Sequence, residues 1–70
     1  MTHPYPLKLR LLMADEGGGW LAEVPDLPGC MSDGETPEEA VRNVQDAIDS
    51  WIEAAREDGR PVPAPSRSAA

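Results

Sequence analysis

Apolar and polar positions alternate from the start of the chain. Tyr5, Leu7, Leu9, Leu11 and Met13 fall on one side, and Pro6, Lys8, Arg10, Leu12 and Ala14 on the other. A period of two is that of a half-buried β-strand. Asp15-Glu16-Gly17-Gly18-Gly19 predicts a turn, because glycine reaches positive φ without a side-chain clash. Trp20, Ala22 and Val24 then alternate with Leu21 and Glu23, which predicts a second strand hairpinned to the first. Pro25 ends that ladder for want of an N–H. Pro25-Asp26-Leu27-Pro28-Gly29 reads as a turn, Cys30-Met31-Ser32 as a short antiparallel third strand, and Asp33-Gly34 as its close.

The period then changes from two to 3.6. Ala40, Val41, Val44, Ala47, Ile48, Trp51, Ile52 and Ala55 form a stripe of helical spacing. Thr36 suits the N-cap, Pro37 the first helical position, and Glu39 the third residue after the cap. Glu38 and Glu39 complement the positive end of the helix dipole. Gly59 and Pro61 mark the stop. The helix is predicted over Thr36 to Asp58, with Trp51 as main core anchor. The fold class is α+β: a three-stranded antiparallel sheet covered by one long helix, in the order β-β-β-α. Residues 1–60 make the domain. Residues 61–70, with Pro61, Pro63 and Pro65 alternating, make an extended or disordered tail.

Seventy residues give a thin core, burying only about 60% of the unfolded chain's surface. Chains this small gain stability from disulfides, metals or oligomerisation. Cys30 is the only cysteine and His3 the only histidine, so neither an internal disulfide nor a zinc cluster is expected. That leaves a homodimer or higher homo-oligomer. The first strand is an expected sheet edge. Lys8 and Arg10 either guard it against promiscuous pairing or leave it open to a copy of itself.

Thirteen acids against six bases give a net charge of -7. This disfavours direct nucleic-acid binding, which needs Lys and Arg against phosphates, and favours a basic partner. Leu7 to Ala14 is too short and too charged for an export signal, and no apolar run approaches the roughly 20 residues of a membrane span. A cytoplasmic, non-membrane protein is expected, and the lone cysteine agrees with that compartment.

Candidate chemistry is sparse. Two-metal nuclease chemistry needs acids converging from strands and a helix. The strands offer Glu23 alone, while Asp15, Glu16, Asp26 and Asp33 lie in turns. His3 falls in an N-terminus expected to fray, without fixed neighbours. Ser32 and Cys30 lack a base to activate them, and Cys30 reads as a small core residue. Gly17-Gly18-Gly19 lacks the Lys-Ser or Lys-Thr of a phosphate loop. Gly29 and Gly34 read as backbone conformations closed to other residues. No catalytic residue, cofactor or metal is expected, and the chain does not read as an enzyme.

Trp20-Leu21-Ala22-Glu23-Val24-Pro25-Asp26-Leu27-Pro28-Gly29-Cys30, followed by Ser32-Asp33-Gly34-Glu35-Thr36-Pro37-Glu38-Glu39-Ala40, resembles the signature of the HicB-like antitoxins. Val44, Ala47, Ile48, Trp51 and Gly59-Arg60-Pro61-Val62-Pro63 continue it, so the resemblance runs from Tyr5 to Pro65. It implies a partial ribonuclease-H-like arrangement. It implies a partner of HicA type, a small basic toxin that cleaves messenger RNA with a histidine and whose active site the antitoxin covers. Longer relatives add a C-terminal DNA-binding domain and many place a fourth strand after the proline motif. Neither is read in these residues, so operator binding is not expected.

Against that background, Asp46, Asp49, Glu53 and Glu57 form the candidate partner-binding set. They recur at three- and four-residue spacing opposite the apolar stripe. Their mutual repulsion costs the helix a few tenths of a kcal/mol per pair. A basic toxin would relieve it and be kept from RNA. The same residues also suit a plain solvated helix face. Two functions stand: neutralisation of a HicA-type toxin, and a solitary structural or regulatory homo-oligomer without a toxin partner. A degenerate ribonuclease-H-like enzyme rests on fold analogy alone.

Overall fold

The computed structural model describes residues 3–66; Met1, Thr2 and residues 67–70, the end of the predicted tail, lie outside it. Three strands, β1 (Lys8–Leu11), β2 (Trp20–Glu23) and β3 (Met31–Gly34), precede one helix, α1 (Pro37–Glu57). The sheet is antiparallel in the order β1-β2-β3. This is the predicted α+β arrangement of a three-stranded sheet and one long helix.

The caps explain where α1 begins and ends. The Thr36 hydroxyl accepts the Glu39 N–H at 3.1 Å, and Pro37 follows with no N–H to lose. Glu39 reaches back one residue beyond the usual capping box, its carboxylate accepting from the Glu35 N–H at 3.3 Å. Asp58 caps the C-terminus, and Gly59 takes φ +71° just past it.

β1 is shorter than its alternation predicts. Pro4 and Pro6 cannot donate to a ladder, and regular pairing starts at Lys8. The third strand is shifted: Asp33 and Gly34 belong to β3, opposite Leu21 and Trp20, rather than closing it. The turn after Met13 is one 3-10 turn, Ala14–Glu16, and then three glycines at positive φ.

Gly34 departs from its sequence reading. Its φ is not positive. A Cβ there would lie 2.5 Å from the Ala40 nitrogen and 2.8 Å from the Glu39 carbonyl carbon. It is glycine because the first turn of α1 crosses β3 at backbone contact. Gly29, at φ +80°, fits the conformational reading.

The core is Tyr5, Ala22, Val24, Leu27, Cys30, Ala40, Val44 and Ile48, with Leu7, Trp20, Ala47, Trp51 and Ile52 packed around it. The largest fully buried side chains are Leu27, Ile48 and Val44, each worth about 1.5–3 kcal/mol of transfer energy. Trp51, expected as main anchor, is half-buried at the margin. Its indole N–H must find an acceptor, and it takes the Pro28 carbonyl at 2.9 Å.

α1 packs on β3 and β2, and β1 extends beyond its cover. All four residues of β1 are exposed, so the expected half-buried strand is not half-buried. Ala22 is fully buried under α1, and the register sets Leu9 beside Ala22 and Leu11 beside Trp20, on that same face. Leu9 and Leu11 nevertheless stay 45% and 56% exposed, because a single helix spans only part of the sheet.

The proline-rich segment after α1 has no regular structure through Ser66, yet it is held. The Tyr5 hydroxyl donates to the Pro63 carbonyl at 2.5 Å. The Ser66 N–H and hydroxyl both donate to the Asp26 carboxylate, at 2.7 Å each. Arg60 places its guanidinium 5.7 Å from the centre of the Trp51 ring.

Candidate functional site

Successive residues of an α-helix advance by about 100°, so Asp46, Asp49, Glu53 and Glu57 share a stripe roughly 80° wide. The stripe faces away from Val44, Ile48 and Ala55, which are buried, and all four carboxylates are exposed. The apolar side of α1 thus fixes where the acidic side points. Asp46, Glu53 and Glu57 form no ion pair among the described residues.

Asp49 differs from the other three. The His3 backbone N–H donates to Oε1 of Gln45 at 2.7 Å, and the His3 imidazole Nε2 lies 2.5 Å from Oδ1 of Asp49. His3 is therefore not frayed, as its position suggests, but laid along α1. Ile52, Glu53, Arg56 and Glu57 line a cleft with His3 and Asp49.

Sequence reasoning passed over three participants in this face. Arg42 lies one turn before Asp46 on the same stripe, and Arg56 stands three residues after Glu53, both exposed. Their spacing from the acids was the available signal. For His3 there was none, since its partners lie 42 and 46 residues away.

A second cleft lies where the hairpin turn meets the start of α1. Gly17, Gly18 and Gly19 line it with Asp33, Glu35 and Glu39. The carboxylates give it the wrong sign for phosphate. Among the described residues, no three His, Cys, Asp or Glu side chains gather into a group able to hold a metal ion. Cys30 is buried in the core, and burial pushes its thiol above the ordinary cysteine value, away from the reactive thiolate.

Two carboxylates carry shifts with clear causes. Glu16 accepts the Met13 N–H at 3.1 Å and Arg10 Nη1 at 3.1 Å, which together hold its pKa below the ordinary glutamate value. Asp26 is held below the ordinary aspartate value first by the Ser66 N–H and then by the Ser66 hydroxyl. Both belong to turns and tethers, away from the acidic stripe.

No helix among the described residues is long and apolar enough to cross a membrane. The assembled surface is an acidic helix flank beside a short sheet with one uncovered strand. It offers charge and shape for binding.

Comparison with known proteins identifies the family. Residues 5–70 match the family described as the HicB_like antitoxin of bacterial toxin-antitoxin systems. A UPF0150 protein of Thermoplasma acidophilum is 36% identical over 53 residues, covering 76% of this chain and 77% of the relative. A UPF0150 protein of Synechocystis sp. is 43% identical over 53 residues, covering 76% and 67%. Antitoxin HicB 2 of Photorhabdus laumondii is 36% identical over 62 residues, covering 89% of this chain but 42% of that antitoxin, so the match spans under half of its length. The chain belongs to the HicB-like antitoxin family of bacterial toxin–antitoxin systems.

Proposed function

We propose that this chain binds and neutralises a small basic toxin of HicA type, an mRNA-cleaving ribonuclease, by covering its active site in the cytoplasm. The observation that carries the reading is the exposed acidic stripe Asp46, Asp49, Glu53 and Glu57, three of whose carboxylates have no ion-pair partner among the described residues. A ribonuclease must present Lys and Arg to the phosphates of its substrate. A protein that meets those cations with carboxylates competes with RNA for one surface and also steers the encounter. In this role the chain is a binding protein without a reaction of its own, and the partial ribonuclease-H-like arrangement of the family serves as scaffold.

The test is co-expression with a HicA-type toxin, scored by growth rescue and by co-purification. Rescue by the native chain, with its loss in the double variant D49K/E53K while circular dichroism is unchanged, supports the reading. Failure to bind or rescue, or full rescue by the double variant, sinks it. The uncovered side of β1 favours a second reading, a homo-oligomer without a toxin partner. That reading predicts a stable assembly that ignores any such toxin.

A further inference from the structure

Among the described residues, three of the four exposed large hydrophobics lie on β1 or just after it. Leu9, Leu11 and Met13 are 45%, 56% and 62% exposed, and they stand at alternate positions on one side of the chain. β1 is bonded to β2 on one side only. The Leu12 N–H donates to the Gly19 carbonyl at 2.8 Å, toward β2. Because backbone groups alternate along a strand, the N–H and C=O of Leu9 and Leu11 face the unpaired edge.

Charge says what can approach that edge. With a net charge of -7, two copies of the chain repel across most of their surfaces. Among the described residues, β1 is the only strand without an acid, reading Lys8-Leu9-Arg10-Leu11. Of its two bases, one is ion-paired within the chain and the other stands across the ladder from an acid. Lys8 is the register partner of Glu23, and Arg10 Nη1 lies 3.1 Å from Oε2 of Glu16. This edge is therefore an acid-free strip with exposed leucines, the place where a like-charged copy can come close.

We infer that β1 pairs antiparallel with β1 of a second copy of this chain, across a two-fold axis at Leu11. The exposed set itself selects the register, for positions 9, 11 and 13 are symmetric about 11. Pairing there sets Leu11 against Leu11 of the copy and Leu9 against Met13 of the copy. It also places Arg10 beside Leu12 rather than beside another base. An axis at Leu9 would oppose Lys8 to Arg10, and one at Arg10 would oppose the two arginines, both unfavourable. Met13 lends its side chain only. Its N–H is taken by the Glu16 carboxylate and its C=O by the Glu16 and Gly18 N–H groups, so the new ladder centres on Leu11. The result is a six-stranded sheet joined through the Leu11 pair, in which each β1 gains a strand neighbour on its open side.

The inference is independent of toxin binding. Its test is sedimentation equilibrium of the full 70-residue chain alone, with circular dichroism as the check on folding. The native chain is expected at twice the monomer mass. L11K, at an exposed position, is expected to fold and to lose the dimer. M31K also changes an exposed apolar residue, but on the other edge strand, and is expected to remain dimeric. A monomeric native chain, a persistent L11K dimer, or loss of the dimer in M31K each overturns the inference. So does a native monomer whose toxin binding is abolished by L11K, which would assign the strip to the partner.

Discussion

The indole N–H of Trp51 donates to the carbonyl of Pro28 across 2.9 Å, tying the second half of α1 to the loop between β2 and β3. This places the large aromatic at the rim of the core, while Leu27 of the same loop fills the centre. Replacing Trp51 with Phe keeps most of the ring contact and removes the bond. The Pro28 residue is exposed, so water can take up its carbonyl. The expected loss is about 0.5–1.5 kcal/mol, the net value of one hydrogen bond. Urea unfolding followed by circular dichroism measures it, and a loss beyond about 3 kcal/mol, the scale of a large-to-small core deletion, would show that the ring itself is the anchor.

The contrast between Gly34 and Gly17 separates two reasons for glycine. At Gly34 an added methyl meets backbone of α1 within 3 Å, and neither β3 nor the helix can yield cheaply. G34A is expected to cost about 1–3 kcal/mol or more through overpacking. At Gly17, φ is +101° and nothing lies within 4 Å of the added carbon. G17A is expected to cost about 1–2 kcal/mol from the left-handed backbone alone. Thermal midpoints of the two variants decide whether close approach outweighs backbone strain here.

These residues also mark what the sequence could and could not disclose. The helix was legible because its evidence is local: Thr36, Pro37, Glu39 and Gly59 act within a few residues of one another. The sheet order followed from two turns. The coverage of the sheet did not follow, since an alternating pattern identifies the inner side of β1 without saying how far a helix reaches over it. Leu27 was hidden in a proline-rich turn. The His3–Asp49, Tyr5–Pro63 and Ser66–Asp26 contacts join residues 46, 58 and 40 positions apart, where no local pattern exists to read. For the candidate site, spacing sufficed to place the four carboxylates on one outward stripe, because the buried side of α1 dictates it.

The Asp26 tether gives a prediction in pH. Its carboxyl is held below the ordinary aspartate value by the Ser66 N–H, then by the Ser66 hydroxyl. A group whose pKa is lower folded than unfolded contributes stability above its unfolded value. The contribution is lost as pH falls through the lower folded value. The tether is therefore expected to hold at neutral pH and to release in acid, below the point where a free aspartate protonates. A titration of the Asp26 carboxyl carbon by NMR should show a midpoint under the ordinary aspartate range. In S66A the midpoint should move partway back up, because the N–H donor remains. An unshifted midpoint in the native chain would remove the tether from solution.

The acidic stripe sets stability against binding. Glu53 stands four residues from both Asp49 and Glu57, so it carries two like-charged neighbours on the helix surface. E53Q keeps the shape and removes both repulsions. With the attraction of Arg56 three residues on also removed, it is expected to stabilise the folded chain by a few tenths of a kcal/mol in all at low salt, and less as salt screens the charges. If the stripe meets a basic toxin, the same change should weaken the complex and flatten its salt dependence, since one attractive charge is gone. Unfolding curves and binding isotherms at two salt concentrations measure both. Opposite signs mean that the repulsion among these carboxylates is retained because it is relieved on binding. A variant both more stable and equally tight would mean that the stripe is a solvated helix face and that the toxin docks elsewhere.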